Sequence, residues 1–201
     1  MSAPRRFSQA ISEGDGISLI AEVDSADAAR RAQSEGAEAL LVPSGSEDWL
    51  QAIREAVTLP ILFSFGGERV DGLAHADACV IDVPQWEGGI GFGDPVEDAH
   101  LNLAEEFELA FRIADDEQLA ESLERYDPEI FILAAPDAEG EEALEHVLDL
   151  LPDVPAGKLA IAELPGSSRE EVAALERAGI DGVIVDPRAV AGLVEGPPPE
   201  V

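Results

Sequence analysis

The chain has 201 residues, 46% of them hydrophobic, which is long and apolar enough for one compact domain with a buried core. Its 43 Asp and Glu residues outnumber its 12 Lys and Arg residues, and a surface with the resulting net charge of −31 repels nucleic acid and anionic membranes. No apolar run reaches the roughly 18 residues of a membrane span, and residues 1–9 lack the apolar stretch of a signal peptide, so we expect a soluble cytoplasmic protein.

Eight short apolar runs recur along the chain and predict eight β-strands. The runs cover 17–23, 39–42, 59–65, 78–83, 107–113, 130–135, 159–164 and 182–185. A stretch with helical patterning follows each run, and these predicted helices cover 27–35, 47–57, 69–74, 96–105, 115–125, 139–151, 168–179 and 187–194. Ser46 is placed to cap the second helix, while Asp115 with Gln118 and Ser168 with Glu171 have the spacing of a capping box.

The regular alternation of strand and helix predicts the fold class. Runs that are apolar on both faces suit a parallel sheet that is covered on both sides. Eight such units predict a closed (β/α)8 barrel, or TIM barrel, and the alternative is an open doubly wound sheet. Because no linker interrupts the pattern, we predict a single barrel domain over residues 1–195 and a frayed, proline-rich tail over 196–201.

The acidic residues are spread along the predicted helices, and Lys158 is the only lysine among the cations. A chain this apolar is not expected to be disordered, so we interpret the acids as a solvated shell around an ordinary core. This composition indicates adaptation to high salt, where the Debye length falls to about 3 Å at 1 M and self-repulsion is screened. We therefore expect the purified protein to lose structure in low salt.

Short segments around the strands carry a family resemblance. They are Arg6-Phe7-Ser8-Gln9-Ala10 and Ile20-Ala21-Glu22-Val23 near strand 1, and 56–62, 115–119, 127–130, 162–163, 168–172 and 178–183 later in the chain. Their order and spacing resemble those of the indole-3-glycerol phosphate synthase family over nearly the whole chain. That resemblance implies a barrel that closes an indole ring on an anilino-deoxyribulose phosphate, with loss of carbon dioxide and water. It also implies a lysine acid, acidic partners and a phosphate cradle at the C-terminal ends of the strands.

The chain departs from that family at most of the positions that the resemblance assigns to function. Two acids remain in place, Glu22 and Glu163, whereas Asp24 and Ser64 stand where lysines are expected and Arg112 stands where a glutamate is expected. The long loop after strand 1 is missing. Further replacements are Ala134-Ala135 for an Asn pair, Leu164-Pro165 for Ser-Gly, and Asp186 for a phosphate-binding glycine.

These departures predict that the ring-closing lyase activity is lost. Lys158 is predicted at the start of strand 7, which is the wrong end of the barrel for catalysis. Asp186 facing a phosphate would cost roughly 1 to 4 kcal/mol per charge pair at 4 Å, depending on the effective dielectric. We therefore predict a synthase-like barrel of the tryptophan-biosynthesis lineage that is non-catalytic or repurposed. The alternatives are altered small-molecule chemistry carried by Glu22, Glu163 and Arg112, and a divergent working synthase.

Other residues leave two interpretations open. One interpretation of Arg112 is that it binds an anionic ligand, and the other is that it forms an ion pair with Glu22 or Glu163. Candidate substrate-binding residues are Ser64, Ser167 and Ser168. The alternative for Ser168 is that it caps its helix, which the spacing to Glu171 supports.

A glycine-rich loop over 86–92, with Trp86, Ile90 and Phe92, either binds a protein partner or packs over the barrel mouth. His75, His100 and His146 lack metal-ligand spacing, and Cys79 lies in an apolar run. We therefore predict no metal site and no cofactor.

Overall fold

The computed structural model describes residues 6–13, 16–67, 70–83, 102–164 and 166–194. Their strands form a closed, all-parallel barrel in the order β1 to β8, with β8 pairing back onto β1. The (β/α)8 fold predicted from the alternation of apolar runs is confirmed. Among these residues, no helix is long and apolar enough to cross a membrane.

The eight strands fall within the eight predicted apolar runs. They are β1 Ser18–Glu22, β2 Ala39–Val42, β3 Ile61–Ser64, β4 Ala78–Asp82, β5 Glu108–Ile113, β6 Ile130–Ala134, β7 Leu159–Glu163 and β8 Gly182–Val185. The runs read as continuously apolar because both faces of each strand are covered, one by the barrel interior and the other by helices.

The strand register stacks the interior side chains in layers of four. Ile20 pairs with Ala39, whereas Leu62 pairs with Leu41, two residues further along β2. The same two-residue offset recurs on every even strand, so interior residues of alternate strands lie at one level, as is usual in this fold. Three of these layers are apolar apart from one glycine: Ala39, Ala78, Ile130 and Gly182; Ile20, Leu62, Ala110 and Ile161; Leu41, Val80, Ile132 and Ile184.

The helices surround the barrel. They are α1 Arg6–Ser12, α2 Ala26–Glu35, α3 Glu47–Ala56, α4 Asp116–Arg125, α5 Gly140–Leu150, α6 Arg169–Ala178 and α7 Val190–Val194, with 3₁₀ turns at Val70–Leu73 and Leu151–Asp153. Their buried residues recur at helical spacing, as with Leu50 and Ile53 of α3 or Val172 and Leu175 of α6. The acids lie mainly on the opposite, solvated faces.

Side-chain caps fix where several helices begin. The Ser168–Glu171 capping box of α6 is present in both halves. Asp115 accepts the N–H of Gln118 at the start of α4, but the Gln118 side chain turns instead to the N–H of Ala114. Ser46 precedes α3 without a side-chain cap bond, because its backbone is not extended as a capping residue requires.

The N-terminal helix α1 closes the bottom of the barrel, and the sequence analysis did not predict it. Phe7 and Ile11 of α1 are buried in the interior cluster. Glu108, at the start of β5, accepts the N–H groups of Phe7 and Ser8 at 3.0 and 2.9 Å and the hydroxyl of Ser8 at 2.7 Å. The helix is therefore held by apolar burial and by one carboxylate from the barrel.

Two segments predicted from the sequence lie largely or wholly outside the described residues. These are the predicted helix over 96–105, of which only the last residues are described, and the tail over 196–201. The predicted helix over 69–74 is a short 3₁₀ turn instead. Gly72 within this turn has a high conformational cost in a longer helix.

Candidate functional site

A polar layer of four side chains lies above the three apolar layers, at the C-terminal end of the barrel. It consists of Glu22 from β1, Ser64 from β3, Arg112 from β5 and Glu163 from β7. These residues all face inward because each lies two residues beyond an interior residue of the layer formed by Ile20, Leu62, Ala110 and Ile161. The structure thus brings together the four strand-end positions that the sequence analysis singled out.

Arg112 lies at the centre of the polar layer and bonds to three neighbours. Its Nε and Nη2 atoms donate to the two carboxylate oxygens of Glu163 at 2.6 and 3.3 Å. Its Nη1 atom donates to Asp82 Oδ1 at 2.5 Å and to Ser64 Oγ at 3.3 Å. The guanidinium is therefore held on two sides by carboxylates, with the fork geometry that favours such pairs.

The two carboxylates differ in their exposure to solvent. The side chain of Glu163 is 27% exposed and that of Arg112 is 22% exposed, so this pair is sheltered. Asp82 is 60% exposed and lies on the rim. Because exposed ion pairs contribute little, Glu163 is the tighter partner of Arg112 and Asp82 the more easily displaced one.

Burial and neighbouring charge shift the pKa of both members of the inner pair. Burial raises the pKa of the Glu163 carboxyl, Arg112 opposes that shift, and the negative charges of Glu22 and Asp82 raise the pKa further. Burial lowers the pKa of Arg112, but Glu163 and Asp82 outweigh it and the net shift is upward. Arg112 therefore stays charged, whereas Glu163 holds a proton more readily than an ordinary glutamate.

Glu22 differs from the rest of the layer because its side chain is exposed and forms no hydrogen bond or ion pair with any described residue. Its charge is nevertheless close enough to influence Glu163. Asp24, just beyond β1, is likewise exposed and lacks a side-chain partner within the described ranges. The β1 side of the mouth thus presents carboxylates that are free to accept hydrogen bonds.

Above the polar layer, the described residues enclose an open pocket of about 1230 Å³. Its charged lining has six carboxylates and three guanidinium groups: Glu22, Asp24, Asp82, Asp137, Glu163 and Asp186, with Arg31, Arg112 and Arg188. None of its described lining residues is aromatic. Phe63 points outward and is buried between barrel and helices, whereas Leu164, just beyond β7, lines the pocket.

Asp186, where the family resemblance leads us to expect a glycine for phosphate, is paired locally. Its carboxylate accepts the backbone N–H of Arg188 at 2.8 Å and the Arg188 Nε and Nη2 atoms at 3.1 Å each. These bonds lower the pKa of Asp186. Asp186 therefore remains an ionised carboxylate at the rim above β8.

The two serines after β7 lie outside the pocket lining, although Gly166 belongs to it. Ser168 uses its hydroxyl to accept the N–H of Glu171 within the cap of α6, and the Ser167 hydroxyl is 3.5 Å from the Leu164 carbonyl. Pro165 and the loop over 86–92 lie outside the described residues. The proposed ligand role of the serines stays a prediction.

Sequence reasoning missed Asp82 and the groups that fix the strand ends around it. Asp82 is the one charged residue within the apolar run 78–83, and it lies directly opposite Arg112 in the β4–β5 register. That charge is the signal that could have revealed the pair. Buried Gln118 joins the same two strand ends, because it donates to the Val83 carbonyl at 2.8 Å and accepts the Ala114 N–H at 2.6 Å. His146 lies 2.7 Å from the Ala114 carbonyl, to which its Nε2 atom donates.

The remaining candidates lie away from the mouth. Lys158 binds Asp127 at 2.9 Å and Glu129 at 3.3 Å, beside the start of β7 at the bottom of the barrel. Cys79 is buried in the layer between barrel and helices. Across the described residues, no three His, Cys, Asp or Glu side chains are grouped so that they could hold a metal ion.

Comparison with known proteins supports the fold. No protein-family model and no curated protein matches the chain. Among solved structures the chain resembles thiamine phosphate pyrophosphorylase from Pyrococcus furiosus, with a TM-score of 0.63 and 16% identity, over 88% of this chain and 93% of that one. At that identity the likeness establishes the (β/α)8 barrel and leaves the activity to be argued from the mouth itself.

Proposed function

We propose that this protein is a repurposed barrel of the indole-3-glycerol phosphate synthase type, which does not close the indole ring and instead binds a small polar molecule at its mouth. The observation that carries the proposal is the pairing of Arg112. The only cation in the polar layer is held by Glu163 and Asp82, so the mouth offers a ligand mainly carboxylates.

The charges of the mouth argue against the synthase reaction. That reaction needs ammonium groups to act as acids and to neutralise an anionic substrate, and the lysine of this chain lies at the other end of the barrel. Among the described lining residues, six carboxylates face three guanidinium groups, and two of these guanidinium groups are already paired. A phosphate ester would meet net repulsion here, so a cationic or neutral polar ligand fits better.

The likeness to thiamine phosphate pyrophosphorylase does not change this proposal. The name of that enzyme refers to a phosphate-containing molecule, and phosphate-binding barrels often hold that group at the helix that follows β7 or β8. Here the start of α6 uses the Ser168–Glu171 capping box, and Asp186 lies beyond β8. These acidic side chains disfavour a phosphate at both places.

The test is turnover of the anilino-deoxyribulose phosphate substrate of the synthase family, followed by the absorbance of the indole product. The assay is run in low salt and in molar salt, because we expect a protein this acidic to lose structure in low salt. We expect no indole from the wild-type chain in either condition while circular dichroism shows it folded. Steady formation of indole would reject the proposal and favour a divergent working synthase.

A second candidate, an enzyme with altered chemistry, is favoured by one specific observation. Glu163 holds its proton more readily than usual, while exposed Glu22 lies nearby without a partner. Two carboxyl groups in unlike environments are suited to act as general acid and general base. Turnover of a small molecule that is lost in both Glu22→Gln and Glu163→Gln, but kept in Glu105→Gln at the opposite end, would support this candidate over simple binding.

A further inference from the structure

Building on the proposed function, we infer that the ligand of the mouth is a zwitterion that carries a protonated amine and a carboxylate. Glu22 and Glu163 would take the ammonium group. Ser64 and the Nη1 side of Arg112 would take the carboxylate, in the place that Asp82 now occupies. The inference names the ligand class of the same pocket, and three features of the polar layer carry it.

The first feature is a pair of hydrogen-bond acceptors on one side of the mouth. Glu22 of β1 and Glu163 of β7 flank β8 and both face the pocket. Glu22 has no partner among the described residues, and each Glu163 oxygen accepts only one bond from Arg112. A carboxylate oxygen accepts more than one hydrogen bond, so an ammonium group would find acceptors on both side chains.

The second feature is a set of donors on the other side. Ser64 lines the pocket although it is only 7% exposed, and its oxygen accepts a bond from Arg112. Its own hydroxyl proton has no acceptor among the described residues. The Arg112 Nη1 atom lies beside it and donates to Asp82. An incoming carboxylate would receive the Ser64 proton and the Nη1 proton together.

The third feature is that the two carboxylates paired with Arg112 differ in how exposed they are to solvent. Asp82 is 60% exposed, so it returns to water at little cost when a ligand carboxylate replaces it. Glu163 is sheltered, and removing it would leave a buried charge unpaired. A ligand carboxylate therefore exchanges with Asp82 and leaves the inner ion pair intact.

Both charges on the ligand are needed for this arrangement. A simple anion would reach Arg112 but would face Glu22, Glu163 and the other carboxylates of the lining. A simple amine would bind the acids but would leave the Ser64 proton and the Nη1 side unused. A zwitterion satisfies both groups of side chains without adding net charge to the mouth.

The experiment measures binding of ω-amino acids, from glycine to 6-aminohexanoate, by isothermal titration calorimetry in the salt that keeps the protein folded. Each amino acid is compared with the alkylamine and the carboxylic acid of matched chain length. We expect at least one amino acid to bind about tenfold tighter than either matched probe. The series is needed because the pocket volume does not fix the separation between the two charged groups.

Three variants locate the two subsites. Ser64→Ala should lower the affinity for the amino acid towards that of the matched amine, because only the Arg112 Nη1 donor then remains for the carboxylate, and it should leave amine binding unchanged. Asp82→Asn should raise the affinity for the amino acid, because it removes the competitor on Nη1. Glu22→Gln should weaken both the amino acid and the amine, whereas Glu105→Gln, outside the pocket, should change neither. Circular dichroism confirms that each variant is folded.

Several results would overturn the inference. An amine that binds as tightly as its amino acid would make the mouth a simple cation site, and this outcome would leave the proposed function standing. A carboxylic acid that binds more tightly than its amino acid, or a folded protein that binds no member of the series, would equally overturn it. Failure of the proposed function shows separately, as indole in the synthase assay.

Discussion

The two ends of the barrel use the same kind of inward-facing carboxylate for opposite purposes. At the bottom, Glu108 is bonded to two N–H groups and a hydroxyl of α1, whose Phe7 and Ile11 seal the interior. At the top, Glu22 faces an open pocket and has no partner among the described residues. The chain satisfies this carboxylate at the end that serves stability and leaves the Glu22 carboxylate available at the end where a ligand can enter.

This contrast explains why acids are tolerated inside the barrel at all. A carboxylate near the interior is costly unless it is hydrogen-bonded or solvated. Glu108 meets that condition through α1, and Glu163 meets it through Arg112. Glu22 meets it because its side chain is exposed to solvent, so a ligand that binds there must replace that solvation.

The largest effect is expected when the apolar side chain by which α1 closes the bottom of the barrel is truncated. Phe7→Ala leaves a cavity where a fully buried ring filled the interior, so we expect a loss of about 3–5 kcal/mol in the free energy of unfolding. Chemical denaturation of the two proteins at one salt concentration measures it. Glu22→Gln at the mouth serves as the comparison and should change stability by less than about 0.5 kcal/mol. Equal effects of the two substitutions would contradict the assignment of stability to the bottom.

A smaller loss is expected when the carboxylate at the bottom is neutralised. Glu108→Gln keeps the size of the side chain but weakens its bonds to Phe7 and Ser8, because an amide offers a neutral oxygen and one donor group. We expect a loss of about 1–3 kcal/mol, measured by urea unfolding. Glu105→Gln is the matched control, since Glu105 is exposed and has no side-chain partner within the described residues. A loss of equal size in the control would show that only net charge matters.

The smallest effect concerns the coupling of two acids within the mouth. Glu22→Gln removes a like charge near Glu163, so we expect the raised pKa of the Glu163 carboxyl to move down towards its ordinary value. Nuclear magnetic resonance of the side-chain carboxyl carbon against pH measures this shift. A pKa of Glu163 that is unchanged in the variant would show that the two groups are not coupled.

The same shift has a consequence for stability. Since folded Glu163 has a raised pKa, the folded state binds more protons than the unfolded state between the two pKa values. The contribution of Glu163 to stability is therefore fully present below its unfolded pKa and is lost as the pH rises through its folded pKa. We expect that pH-dependent loss to be smaller in Glu22→Gln.

The fold could be predicted from the sequence because its signal is repetitive. The runs at 39–42 and 182–185 match β2 and β8 to the residue, since a strand covered on both faces is apolar throughout and ends where polarity begins. The α1 helix was not predicted. Its short stretch has few apolar residues, and its helical state depends on Glu108, about a hundred residues away.

The polar layer could be predicted in part. Glu22, Ser64, Arg112 and Glu163 were identified because the family resemblance places functional residues at these positions, near the C-terminal ends of parallel strands that meet at one edge. Asp82 was missed because the family resemblance does not point to it, although it too ends a strand. Its pairing with Arg112 depends on the register between β4 and β5, which strand lengths alone do not determine.

The origin of the polar layer in four alternate strands has a consequence for how the mouth forms during folding. Residues 22 and 64 belong to the first half of the chain and residues 112 and 163 to the second, so neither half-barrel on its own contains the complete quartet. The complete polar layer therefore exists only when both halves of the chain are folded together. A ligand that contacts residues from both halves would therefore raise the free energy of unfolding by linking the two halves of the barrel.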